Sequence, residues 1–78
     1  MPFVICSPFW LYDQHKFVTS YFSGDIDASG RLLYESFSPS LDDAVYINDY
    51  DLLYRVVSQL HAPMLRLRFM GEEENHGE

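Results

Sequence analysis

The chain has 78 residues, 12 acidic against 5 basic, and a formal net charge of -7. The length holds one domain, and a hydrophobic content of 47% excludes a disordered chain. The negative balance excludes a protein that works by neutralising phosphates with clustered Lys and Arg, so no direct nucleic-acid partner is expected.

Cys6 is the one cysteine, which excludes an internal disulfide and fits a reducing, cytoplasmic setting. The apolar N-terminal run has no basic residues before it and is interrupted by Pro8, so no signal peptide is expected. No run reaches the ~18 apolar residues that span a bilayer, so no membrane partner is expected. A core this small supplies only ~3–5 kcal/mol of net stability, which favours partner binding or self-association.

Residues 2–12 are almost continuously apolar, and Pro8 breaks a helix interior, so they predict a strand with Pro8 at an edge or bulge. Asp13-Gln14-His15 reads as a turn. Residues 16–23 are rich in β formers and predict a second strand, although Phe17, Val18, Tyr21 and Phe22 also fit a helical spacing. Residues 24–30 form a polar loop, across which residues 31–38 pair back as a hairpin. Ser38-Pro39-Ser40 breaks the chain, and residues 44–47 read either as a short strand or as the start of a helix.

Asn48 is the expected N-cap of a helix over residues 49–61, with Asp49 and Asp51 in its first turn. Leu52, Leu53, Val56, Val57 and Leu60 form one apolar stripe, and Pro63 ends the helix. Residues 64–70 alternate: Leu65, Leu67 and Phe69 on one face, Met64, Arg66, Arg68 and Met70 on the other. The arginines are expected to pair with Glu35 or Asp residues across strands. Residues 71–78 read as a disordered acidic tail. The expected fold class is α+β: one domain over residues 1–70, with a mostly antiparallel sheet of about four to five strands and one helix on one face.

A single helix covers one face of a sheet. Yet the strand candidates carry large apolar residues at both parities: Phe17 and Tyr21 against Val18 and Phe22, Leu32 and Tyr34 against Leu33 and Phe37. The second face is therefore expected to offer apolar surface to a protein partner, or to a second copy in a homodimer. Tyrosines are enriched in contact cores, which points to Tyr21, Tyr34, Tyr46 and Tyr50. Asp42, Asp43, Asp49 and Asp51 form a local acidic corner around the helix start. It faces a basic partner in one reading, and caps helices over a solvated face in the other.

Other chemistry is sparse. Asp25, Asp27, Ser29 and Gly30 follow the first half of a calcium loop over residues 25–36, but Ser36 stands where the bidentate Glu belongs. His15, His61 and His76 have no zinc spacing, and Cys6 with His61 lacks an orienting third group. No catalytic residue, metal site or cofactor is assigned on this basis. Pro2 behind Met1, together with Asp43-Ala44-Val45-Tyr46-Ile47-Asn48-Asp49-Tyr50-Asp51, resembles the tautomerase superfamily, which implies an N-terminal proline acting as general base. That family needs a helix after its first strand, where this chain has Gly24, Asp25, Ser29 and Gly30. In size, charge and layout the whole chain resembles small acidic phage-encoded inhibitors of host defence, such as anti-CRISPR proteins. That resemblance implies a non-enzymatic viral protein acting by steric block of a host complex.

Overall fold

The computed structural model describes residues 2–71. All of the expected acidic tail but Gly71 lies outside them. The elements run β1 (Phe3–Leu11), β2 (Lys16–Phe22), β3 (Asp25–Ile26), β4 (Leu32–Tyr34), β5 (Phe37–Ser38), a 3-10 turn (Leu41–Asp43), α1 (Tyr50–Gln59) and β6 (Arg66–Phe69). β5, β2, β1 and β6, in that order, make one antiparallel sheet, and β3 pairs with β4 in a second sheet. The fold is α+β.

β1 and β2 are joined by a tight turn in which His15 takes φ 52°, the left-handed region that His tolerates better than branched residues. The register Cys6 to Tyr21 and Trp10 to Phe17 follows. It sends Ile5 and Phe22 to the helix side, where they meet Ile47, Leu53 and Val56 in the buried core. Residues 45–47 are neither helix nor regular strand. They run extended beside β1, with both backbone bonds between Phe3 and Ile47 at 2.9 Å and Val45 N–H donating to the Phe22 carbonyl at 2.9 Å.

The predicted strand over residues 31–38 is broken into β4 and β5, and the break falls at Glu35 and Ser36. Glu35 turns its carboxylate away from the sheet to accept from the backbone N–H groups of His61 at 2.9 Å and Ala62 at 3.2 Å. The hairpin holds across the break because Ser23 N–H donates to the Ser36 carbonyl at 2.8 Å. Beside it Gly24 lies so close to the Tyr34 carbonyl that any Cβ would collide with it.

The same contact shortens the helix at its far end. The N–H groups of His61 and Ala62 go to Glu35 instead of a further helical turn, and Leu60 is the C-cap. At the near end Asp49, not Asn48, is the N-cap, and its carboxylate accepts from Asp51 N–H at 2.8 Å. β6 keeps the predicted alternation but starts at Arg66, because Met64 turns at φ 51°.

A second latch joins α1 to the β3–β4 loop. The Gln59 amide accepts from Leu32 N–H at 2.8 Å and donates to the Gly30 carbonyl at 2.7 Å. Gly30 has φ 90°, and a Cβ there would sit 2.8 Å from Leu52 Cδ1. Glycine alone meets both demands at this position.

Candidate functional site: an aromatic hairpin arm

β6 pairs only with residues 3–6 of β1, and β5 only with Tyr21 and Phe22 of β2. Residues 7–11 and 16–20 therefore leave the four-stranded body as a two-stranded ribbon with no further strand on either side among the described residues. Ribbons of this kind are marginal in water unless their side chains pack. The base is tied down by Ser7 Oγ donating to the Pro63 carbonyl and Ser20 Oγ donating to the Ser7 carbonyl, both at 2.8 Å.

Further out, aromatics hold the ribbon. Trp10 and Phe17 face each other across the strands with ring centroids 4.9 Å apart and planes at 66°. Tyr12 and His15 each meet Trp10 edge-on at 6.4 Å. Such pairs add about 0.5–1.5 kcal/mol beyond their burial. The cluster is nonetheless wet: Tyr12 is 81% exposed and Phe17 65%. On the opposite face of the arm Phe9 is 50% exposed.

The open face of the body is less bare than the expected parity count suggests. Val4 is fully buried and Cys6 nearly so, although no helix among the described residues covers them. Their direct cross-strand neighbours are Arg68 and Arg66, whose alkyl stems are long enough to lie over the strand. Burial pushes the Cys6 thiol above its ordinary pKa, and Arg68 and Arg66 act in the opposite sense. Three of the exposed large apolar residues, Phe9, Tyr12 and Phe17, stand in the arm, and the others lie on β4, α1, β6 and the segments beside them.

The expected contact residues fall in separate places. Tyr21 is half-buried on the open face, opposite Cys6, at the base of the arm. Tyr34 is 62% exposed but belongs to the two-stranded sheet, so Tyr21 and Tyr34 do not share a face of one sheet. Within the split strand, Leu32 and Phe37 pack on the core, while Leu33 and Tyr34 are both exposed. Tyr46 is exposed just before the buried Ile47. Tyr50 packs on Phe3 at 5.5 Å and lines a groove with Asp51, Tyr54 and Leu67.

In the acidic corner, the Asp43 carboxylate accepts from Ser38 Oγ at 2.9 Å, and that of Asp49 caps α1. Asp42 stands exposed in the 3-10 turn, its backbone N–H donating to Ser40 Oγ at 3.3 Å. Phe9, Trp10 and Tyr12 are the arm residues that composition and parity did not single out as contacts, whereas parity sets Phe17 beside Tyr21 on one face. The signal available was the short turn at residues 13–15, which places Trp10 opposite Phe17.

The remaining motifs are organised internally. Asp27 Oδ1 accepts from Ser29 N–H at 2.9 Å, Ser29 Oγ at 2.7 Å and Arg31 N–H at 2.9 Å. The Ser29 hydroxyl, and then the Arg31 amide, hold its carboxyl below the ordinary range. It closes its own loop, and no cluster of three metal-ligating side chains occurs among the described residues. Glu35 pairs with His61 Nδ1 at 3.0 Å rather than with an arginine. That bond, then the His61 amide, lowers the carboxyl of Glu35 as well. His61 stands beyond the helix end while Cys6 is on the other side of the sheet, so the two do not meet. Pro2 precedes β1 and accepts from Met70 N–H at 2.9 Å. β1 is followed directly by antiparallel β2, not by the helix that a tautomerase needs. No helix among the described residues is long and apolar enough to cross a membrane.

Comparison with protein-family models, with curated protein sequences and with solved structures finds no match to this chain.

Proposed function

We propose that the chain is a small non-enzymatic protein-binding module whose contact surface is the aromatic hairpin arm, continued by Tyr21 at its base. One observation carries this reading: Tyr12, Phe17 and Phe9 stand exposed on a ribbon that projects beyond the body of the sheet. Large apolar groups grouped on a projection cost solubility unless a partner covers them. Aromatic side chains also supply much contact area for little lost freedom, as hot spots do.

The finer reading follows from the resemblance in size, charge and layout. The partner is then a component of a host defence complex, and the module acts by steric block. A homodimer joined arm to arm is the competing reading, favoured by the same exposed rings.

Light scattering on the native chain and on a Trp10→Ser/Phe17→Ser variant separates them. A native monomer whose partner capture is lost in the variant supports a foreign partner. A native dimer that becomes a monomer supports self-association. Unchanged behaviour in both assays removes the arm from the account.

A further inference from the structure

β6 is the last strand of the sheet, and its outer edge has no strand neighbour among the described residues. Met70 N–H donates to the Pro2 carbonyl, which fixes the phase of the ladder. Antiparallel bonding alternates, so Arg66 and Arg68 turn their backbone groups to Cys6 and Val4. The N–H and C=O of Leu67 consequently point outward at the free edge.

The side chains on that edge differ from face to face. Leu67 is 51% exposed and points to the helix side. There it borders an apolar groove of about 310 Å³ with Tyr50, Leu53, Tyr54 and Val57, and Asp51 stands in the same lining. Arg66 is exposed on the opposite face, where no carboxylate among the described residues lies within ion-pair distance of it.

Charge decides what fits. A second copy pairing antiparallel about Leu67 would set Arg66 directly opposite Arg68 twice, and like charges so placed are destabilising. A strand with an acidic residue opposite Arg66 gains there instead. Asp51 disfavours another carboxylate in the groove, and the Leu53, Tyr54, Val57 and Leu67 lining favours an apolar residue facing Leu67.

We propose that the free edge of β6 binds an extended acidic strand of a partner protein. It pairs antiparallel with Leu67, seating an apolar residue in the groove beside Tyr54 and a carboxylate against Arg66. This is strand addition, in which the backbone supplies affinity and alternate side chains supply selection. It rests on the reading of the chain as a protein-binding module, but uses a different surface.

The test titrates the full chain with the capped peptide Thr-Glu-Leu-Glu-Thr and follows the Leu67 amide by NMR. Saturable shifts are expected, with a dissociation constant on the order of 0.1–1 mM. N-methylation of the peptide leucine, whose N–H faces Leu67, should abolish binding. N-methylation of a flanking glutamate, whose N–H faces away, should not. The native chain should prefer Glu to Lys at the flanking positions about threefold to tenfold, and Arg66→Glu should remove that preference. The Trp10→Ser/Phe17→Ser variant should still bind the peptide, so failure of the arm and failure of the edge are told apart. Absence of saturable shifts at millimolar peptide, indifference to N-methylation, or equal binding of the Lys peptide would each overturn the proposal.

Discussion

Glu35 and His61, 26 residues apart in sequence, are joined by two contacts: backbone N–H to Oε2 at 2.9 Å and ring Nδ1 to Oε1 at 3.0 Å. This pair ends α1 and interrupts the strand candidate over residues 31–38. Its energetic signature is a pH dependence. The Glu35 carboxyl is held low, first by the His61 ring and then by the His61 amide, and Asp27 is held low by its own loop. A carboxyl lowered in the folded state adds stability above its unfolded pKa of about 4, and that stability is lost as pH falls through the lower folded value. Urea midpoints measured from about pH 5 down to 2 should therefore fall more steeply for the native chain than for Glu35→Gln. Parallel curves would show that the pair has no energetic weight.

The Gln59 latch predicts a different pair of outcomes. Gly30→Ala forces a side chain into the left-handed region and towards Leu52, at about 1–3 kcal/mol. For a domain of this size that lowers Tm by about 5–20 °C. Gln59→Leu strands the Leu32 N–H and should cost about 1–3 kcal/mol. Both changes act on the loop over residues 27–32. The double variant should therefore cost less than the sum in thermal melts, because the two sites share one contact.

Phe22 is fully buried between the sheet and α1, against Phe37 at a ring-centroid distance of 5.8 Å. Phe22→Ala should remove about 3–5 kcal/mol. That equals the whole stability expected of a domain this small. Its circular dichroism should show no cooperative melt at neutral pH. A sharp transition near the native Tm would contradict the assignment of the core.

Cys6 offers a probe of opening. The residue is 4% exposed, and burial pushes the pKa of its thiol up. Reaction with a thiol reagent should be slow in the native state and should accelerate with urea in step with global unfolding. Rapid labelling without denaturant would mean that β6 leaves β1 readily.

Much of the architecture was legible because it is local. The apolar run at residues 2–12, the 3.6-residue stripe from Leu52 to Leu60 and the alternation from Leu65 to Phe69 each report one element. The break in residues 31–38 was not legible, since Leu32, Leu33 and Tyr34 read as strand at either parity. What divides them is a carboxylate drawn to backbone groups far along the chain. Asn48 and Asp49 are both good caps, and local preference does not choose between them. The surplus of apolar residues at both parities was visible. The grouping of Phe9, Tyr12 and Phe17 on an arm was not, because that depends on where β5 and β6 stop pairing.

The arm is the centre of the functional account. It is most directly tested by placing a photo-crosslinking amino acid at Phe17 in the arm, and separately at Ser58 on the exposed side of α1, in the cell that makes the protein. The account predicts one dominant adduct from position 17, of foreign mass or of twice the chain mass, and none of that mass from position 58. No adduct from position 17, or the same adducts from both positions, would contradict it.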